Sequence, residues 1–516
     1  MMGLKNDMIR CLSILILVLC ACSCSTLPER ISLPAEEALL PGANTRLDAL
    51  IGPAEQHKED QSGFRLVEHG PEALALRVHS TALADRSIDV QTYIWTADLT
   101  GRFLANELLL AADRGVRVRL LLDDLDARAN NYGLASLAAH PNIAVRLFNP
   151  AASRSGSWSL IGDLLSDGRR LNRRMHNKAW IVDNRIALAG GRNLGNEYFG
   201  ASDGSNYVDL ELLMVGPVVR DASRSFDRYW NDVASYPISL LSPEEVNDQG
   251  LESTREALAR AARNALSSEY AALVTEHNAV RRLMTGEWSM VWLDAYRFIA
   301  DDPSKIRQKP SAAQSRVLAE LAPALDAADH SIRIISPYFV PREGGTNQLV
   351  GHAERIDHVS ILTNSLAAND VIAVHGAYSK YRKDLLRGGV ELWELKPDPE
   401  ETEEASWIGG SRASLHTKAL SADGDRLFVG SYNLDPRSTS LNCEQGIFLV
   451  STELTTQFDQ MFDRLVGGEH AWSVSLRSGR LVWKDGQRTY DKEPEATVGQ
   501  RFQAGLMRWL PIKSQL

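Results

Sequence analysis

One polar pattern occurs twice in this chain, and that repetition constrains the fold more than any other feature. The first copy is His176, Lys178 and Asp183, then Gly190, Gly191 and Asn193; the second is His416, Lys418 and Asp423, then Gly430, Ser431 and Asn433. Both read H-x-K-x4-D-x6-G-[GS]-x-N, and each polar member of the second lies 240 residues after its counterpart. With residue frequencies of a few per cent, four fixed positions coincide by chance on the order of 10⁻⁵ per start. Two copies in register imply a duplicated chemical unit.

Local geometry follows from the residue types. In a strand, alternation puts the His and Lys of H-x-K on one face. Ala179 to Val182 continue as an apolar run, Asp183-Asn184 reads as a turn, and Arg185 to Ala189 reads as a second strand. Each copy is therefore expected to be a β-hairpin presenting His, Lys and Asn at one edge. A single H-x-K would be equally compatible with an ordinary surface strand; the repeat argues against that.

The two copies resemble the paired HKD motifs of the phospholipase D superfamily, and more closely those of bacterial cardiolipin synthases of the C type. The phrases that carry the resemblance are Asn172 to Lys178, Gly190 to Asn193 with Glu197-Tyr198-Phe199, and Gly430 to Ser438. It extends from about Leu66 to the C-terminus. It implies an α/β fold of two tandem phospholipase D-like sandwich domains with mixed sheets, related by a pseudo-twofold. It identifies the superfamily sharply and the reaction less so, because relatives include phospholipases, phosphatidyltransferases and nucleases.

Residues 1–22 read as a lipoprotein signal peptide. Lys5 and Arg10 precede an apolar run, Cys11 to Cys20, too short for an ordinary membrane span. Leu19-Cys20-Ala21-Cys22 resembles a lipobox with Cys22 as the lipidated residue; Cys24 is the second candidate, and an uncleaved anchor or soluble export is the competing reading. Lipidation attaches a chain stably, at ~0.8 kcal/mol per buried CH₂. Ser23 follows Cys22, a pattern that resembles an outer-membrane address in Gram-negative lipoproteins. The expected location is the cell envelope, on a membrane facing the periplasm. Beyond position 24 only Cys443 remains, so no disulfide framework is expected in the body. Cys443, beside Glu444, reads as a small packed residue rather than a nucleophile.

Residues 23–64, polar and broken by prolines, read as a tether that becomes ordered near the body. Strand and helix signals then alternate over residues 65–241, giving an α/β unit. Ser87 to Trp95, Val116 to Leu122, Ile143 to Phe148 and Tyr207 to Val215 are the expected strands; Arg102 to Ala112 and Val218 to Tyr229 are helices. Residues 311–466 repeat that order. Between them, residues 242–310 form a helical connector in which Trp288, Trp292 and Tyr296 recur every fourth residue; these aromatics either pack on the body or face a bilayer. Residues 467–516 form a C-terminal extension that ends apolar. The net charge of −10 argues against a nonspecific nucleic-acid binder, so no nucleic acid is expected as a partner. The expected partners are phospholipid substrates and, through the anchor, a membrane surface.

A phosphodiester resists attack until its negative charge is neutralised. Lys178, Lys418, Asn193 and Asn433 supply cations and amide donors for the phosphoryl oxygens. Ser431, which replaces Gly191 in the second copy, adds a candidate hydroxyl contact. One histidine attacks phosphorus while the other protonates the leaving alkoxide and later deprotonates the incoming alcohol. The resemblance implies His176 as nucleophile and His416 as acid and base; the sequence alone does not fix the order. Such a covalent route calls for no cofactor and no metal, and no carboxylate cluster has metal-ligand spacing. The resemblance also places an orienting carboxylate at Glu197 and at Glu444. Asp183 and Asp423 complete the catalytic motif and are expected to hold the hairpin turn. Arg173, Arg174 and Arg412 either steer headgroups or are solvated strand-edge residues, and Tyr93 and Tyr338 are expected to line the cleft. Three functions fit: a membrane-anchored cardiolipin synthase, an exported phospholipase D or nuclease, and a noncatalytic lipoprotein. Two intact His-Lys-Asn sets disfavour the third.

Overall fold

The computed structural model describes residues 27–30, 33–42, 44–154, 167–267, 270, 285, 287, 289–397, 412–486 and 488–508. The expected signal peptide and Cys22, Trp288, the side chain of Arg412 and the apolar last residues from Trp509 on lie outside the described residues. In chain order the strands are β1 (Ser62–Val67), β2 (Ser87–Thr92), β3 (Arg117–Asp123), β4 (Ile143–Phe148), β5 (Ala179–Val182), β6 (Ile186–Gly190) and β7 (Ser205–Val208). They continue as β8 (Glu211–Val215), β9 (Ser235–Pro237), β10 (Val291–Leu293), β11 (Tyr296–Ala300), β12 (Ser331–Ile335), β13 (His358–Asn364) and β14 (Glu391–Leu395). The last are β15 (Arg412–Leu415), β16 (Ala419–Ala422), β17 (Arg426–Gly430), β18 (Gln445–Val450), β19 (Ala471–Arg477), β20 (Arg480–Asp485) and β21 (Arg488–Tyr490).

Two large mixed sheets contain the same seven-strand unit. In the first the order is β1-β8-β6-β5-β2-β3-β4, and in the second β11-β18-β17-β16-β12-β13-β14. The strand directions match as well: β2, β3 and β4 are mutually parallel, as are β12, β13 and β14, and the other neighbours are antiparallel. A parallel core with an antiparallel hairpin beside it is what alternating helices and the H-x-K hairpin require.

Both hairpins turn on residues with positive φ, Asp183 (52°) and Asn184 (55°) in one, Asp423 (51°) and Gly424 (70°) in the other. Asp, Asn and Gly tolerate that region, and such a turn matches the strand twist. The aspartates also reach the start of the first parallel strand. Asp183 accepts from the backbone N–H groups of Asp85, Arg86 and Ser87, and Asp423 from those of Asp329, His330 and Ser331. Hydrogen bonds to a charged group are worth about 1.5–3 kcal/mol each. The motif aspartates therefore fasten hairpin to sheet.

The apolar core is layered. On the outer face of the first sheet, Ile88, Val90, Leu120 and Trp180 pack against helices Gly70–Ala82, Leu99–Asp113 and Asp248–Leu266. On the outer face of the second, Ile334, Ile361 and Leu420 pack with Leu321, Leu349 and Leu385. The inner faces share one cluster: Phe64, Leu121, Ile181 and Leu212 with Ile335, Leu362, Val429 and Leu449, joined by helices Pro217–Trp230 and Thr452–Val466. Burying both inner faces together makes the halves one body.

The structure departs from the sequence reading at two places. Residues around Trp292 and Tyr296 are strands rather than helix: β10 extends the first sheet beside β1, and two residues later β11 opens the second sheet beside β18. The aromatics pack inward, with the Tyr296 ring 5.2 Å from Phe64 and Lys58 Nζ 4.2 Å from the Trp292 ring. Strand pairing overrides the four-residue spacing because each edge offers unpaired backbone groups. Second, Tyr207 to Val215 is not continuous. It breaks at Asp209-Leu210 into β7, which leaves the first sheet to pair in parallel with β15, and β8, which stays. The tether is ordered against the first half. The Glu36 N–H donates to Asn231, Arg146 bonds the Glu36 carboxylate, and helix Arg46–Glu55 buries Leu47 and Ile51.

The C-terminal extension adds β19, β20 and β21 to the edge of the second sheet and includes helix Val498–Met507. Ala504 of that helix is buried, while Val498, Phe502 and Leu506 are exposed on successive turns.

Candidate active site

His176 and His416 lie in the short segments that lead into β5 and β16, three residues before each strand, and both are at least nine-tenths buried. Each is held twice by the opposite half. The His176 backbone N–H donates to the Cys443 carbonyl at 2.8 Å, and its Nδ1 lies 2.8 Å from Glu444 Oε2. The His416 N–H donates to the Val208 carbonyl at 2.8 Å, and its Nδ1 lies 2.6 Å from Asp209 Oδ2. The carboxylate thus follows directly on the carbonyl that anchors the histidine backbone. Nδ1 of His176 also faces the Ser431 carbonyl at 3.0 Å. Because these partners accept, Nδ1 carries the proton in both rings, and Nε2 is the nitrogen with a lone pair.

Each lysine returns to its own motif. Lys178 Nζ donates to the His176 carbonyl at 2.6 Å, and Lys418 Nζ to the His416 carbonyl at 2.5 Å. An ammonium has three N–H groups, so each lysine keeps donors for an anion. Asn193 donates to the Tyr198 hydroxyl at 2.9 Å, and the Asn433 side-chain oxygen is buried without a hydrogen-bond partner among the described residues. Aromatic rings close the walls: Tyr93 lies 5.0 Å from His176, and Tyr198 and Tyr207 lie 5.1 and 5.2 Å from His416. Tyr338, expected like Tyr93 to line the cleft, donates to Asp370 at 2.7 Å.

Several sequence expectations are redirected. Glu444 sits on His176, but the carboxylate on His416 is Asp209. Glu197 lies half-exposed on the short helix Asn196–Phe199, where burial and the nearby Asp98 and Asp126 raise its carboxyl. Reading 207–215 as one strand concealed Asp209. The usable signal was strand register: Glu211 pairs with Gly190 as Gly446 pairs with Gly430, which makes Asp209 the counterpart of Glu444. Ser431, expected on phosphate, gives its hydroxyl to Glu444 Oε2 at 2.5 Å, and Ser438 donates to Oε1 at 2.8 Å. Its counterpart Gly191 has the opposite task, since a Cβ there would stand 2.6 Å from Asp209 Oδ1. The longer Glu444 takes a serine beside it, and the shorter Asp209 takes the space a glycine leaves. Arg174 is neither solvated nor steering: buried, it bonds Asp123 and the Leu171 carbonyl and fixes the approach to His176. Arg173 donates to the carbonyls of Ile306 and Gln308. Cys443 is packed, and burial pushes its thiol up to about 12.

Burial sets the resting charges. It pushes His176 down to about 4 and His416 to about 3, against the opposing pull of Glu444 and Asp209. It lowers Lys418 to about 8 and Lys178 well below its ordinary value. Burial alone would raise the two carboxyls, but the histidines and lysines beside them hold both below their usual range. At neutral pH both imidazoles are uncharged, and an arriving anion reverses the balance by favouring every protonated form.

Two like α/β halves that clamp each other's histidines, with each motif lysine near enough to act on the other half's imidazole, define a two-domain enzyme of the phospholipase D superfamily. Residues 79–230 and 321–466 match the family model described as cardiolipin synthase, PLD-like domain. The chain belongs to that family. It is 38% identical to cardiolipin synthase C of Escherichia coli (strain K12), over 91% of this chain and 99% of the relative. It is 32% identical to an uncharacterized protein of Helicobacter pylori (strain 26695), over 84% of each. The fold is that of phosphatidylserine synthase from Haemophilus influenzae, with a TM-score of 0.55, 14% identity, and coverage of 90% of this chain and 99% of that one.

Two outcomes check the site. Asp209→Asn is expected to lower turnover about a hundredfold or more by releasing the His416 tautomer, whereas Glu197→Gln stays within about threefold; equal losses in steady-state assays would refute the pairing. Sulfate carries no proton at pH 7, so its binding should draw protons onto groups whose pKa values rise. Calorimetry in two buffers of different ionisation enthalpy should show net proton uptake, reduced in His416→Gln; no uptake would contradict the resting charges.

Proposed function

We propose that this chain is a phosphatidyltransferase that makes cardiolipin from phosphatidylglycerol and a second phospholipid through a phosphohistidine. The observation that carries the reading is the reciprocal clamp, each Nδ1 held by a carboxylate of the other half. It leaves two Nε2 atoms for one phosphorus.

His176 Nε2 attacks the phosphorus of the donor, phosphatidylethanolamine or phosphatidylglycerol. The P–N bond forms as the bond to the headgroup oxygen breaks, and His416 gives that oxygen a proton. For His416 to act as an acid it must hold a proton it lacks at rest, and the bound phosphodiester supplies the negative charge that favours uptake. Lys178, Lys418, Asn193 and Asn433 hold the phosphoryl oxygens. In the second half-reaction a glycerol hydroxyl of phosphatidylglycerol gives its proton to His416 and attacks phosphorus, releasing His176. Glu444 and Asp209 orient the rings, and Asp183 and Asp423 act only through the fold. Similarity to a cardiolipin synthase over nearly the whole of both chains supports transfer over hydrolysis.

The protein works at a membrane, anchored through Cys22 and facing the periplasm, with the outer membrane as its residence. Among the described residues no helix is long and apolar enough to cross a membrane. The exposed Val498, Phe502 and Leu506 ridge supports contact with a bilayer surface.

Purified protein with labelled phosphatidylglycerol and phosphatidylethanolamine in vesicles should yield cardiolipin, and His176→Ala should abolish it. Phosphatidic acid without cardiolipin would replace the synthase by a phospholipase D, and full turnover in His176→Ala would exclude the assigned nucleophile. In cells, labelled palmitate should enter the wild-type chain and not Cys22→Ala; equal labelling of both would remove the anchor assignment.

A further inference from the structure

A cationic cavity lies against the segment that leads to His176. A cavity of about 430 Å³ elsewhere, near His375 and Glu493, mixes both signs of charge. The cavity of about 720 Å³ between Gly168–Arg173, Arg307–Pro310 and Pro436–Leu441 does not. Its lining includes Arg169, Arg173, Arg307, Lys309 and Arg342, and among the described residues no carboxylate lines it. In a chain of net charge −10 this is a marked local reversal. Asp232 pairs with Arg307, whereas among the described residues Arg173 is held by the neutral carbonyls of Ile306 and Gln308, which do not cancel its charge. A concave wall of one sign concentrates field and draws anions, and guanidinium groups suit phosphate oxygens.

Its position is tied to the catalytic machinery. The wall before His176 ends at Asn172 and Arg173, and four residues from Asn172 to His176 span at most about 14 Å. Arg437, in the segment that also brings Ser438 to Glu444, clamps the Asn172 side chain at 2.7 Å and its carbonyl at 2.9 Å. The reaction itself demands such a place. Both lipids in a cardiolipin-forming transfer are anionic or zwitterionic phosphodiesters, and Lys178 and Lys418 are occupied by the phosphorus under attack. The acceptor brings a second phosphate that must be held without competing for them.

We propose that this cavity binds the phosphodiester of the acceptor phosphatidylglycerol and presents its glycerol hydroxyl to the phosphohistidine. The proposal rests on the cardiolipin-forming reading above. It assigns Arg169 and Lys309 to acceptor specificity, with Arg173 held in place by its backbone contacts.

The test is the paired charge reversal Arg169→Glu with Lys309→Glu in the full chain, against Arg260→Glu on the exposed face of helix Asp248–Leu266. In vesicles of phosphatidylethanolamine with a rising fraction of phosphatidylglycerol, the double variant should need about tenfold more phosphatidylglycerol for half-maximal cardiolipin. Its rate at saturation should stay within about twofold. An unchanged half-saturation, or the same shift in Arg260→Glu, overturns the proposal. A binding measurement separates this from failure of the synthase reading. Glycerophosphoglycerol, the deacylated headgroup, should bind His176→Asn protein at two sites, and the charge reversal should remove one. A single site that the reversal does not affect refutes the cavity whatever the vesicles produce. Inorganic phosphate occupying the cavity where glycerophosphoglycerol does not would refute the acceptor assignment.

Discussion

Each motif imidazole of this chain is completed by the half that does not carry it. His176 takes its backbone acceptor from Cys443 and its carboxylate from Glu444; His416 takes them from Val208 and Asp209. An orienting carboxylate must be buried to fix a tautomer, and a buried carboxylate must be paired. Placing the pair across the interface makes assembly of the halves and assembly of the site one event. The parallel pairing of β7 with β15 and the Met175–Cys443 bridge are the backbone expression of the same constraint.

The surrounding layers serve that interlock. The shared core from Phe64 to Leu449 presses the inner faces together. Buried Asp301, paired with Lys305, accepts the Glu444 N–H and so steadies the loop behind His176. Arg192 donates to the Asp209 carbonyl and steadies the other side. The connector enters both sheets through β10 and β11, which ties the distance between them to a two-residue crossing. The halves are alike in strand order yet differ where chemistry meets packing, as Gly191 beside Asp209 and Ser431 beside Glu444 illustrate.

Much of this was legible in the chain. Repeated histidines and lysines at fixed spacing are local, and so are hairpin turns built on Asp183-Asn184 and Asp423-Gly424. The apolar run Ile143–Phe148 gave its strand the right limits. The misreadings share one cause. Tyr207 to Val215 looks continuous because every residue in it tolerates a strand, and nothing local says that its first part pairs with the other half. Trp292 and Tyr296 obey a helical spacing that two open sheet edges overrule. Glu197 was nearer in sequence to its motif than Asp209, but nearness along the chain does not measure nearness across an interface.

The sequence by itself determined the chemical inventory and the duplication, because covalent spacing and residue type decide which groups a hairpin can present. Only the tertiary structure decided which carboxylate meets which imidazole, that Ser431 faces a glutamate, and how far each histidine is driven from its ordinary charge. Those outcomes depend on groups hundreds of residues apart being brought within hydrogen-bond reach and shielded from water, and no local pattern encodes that.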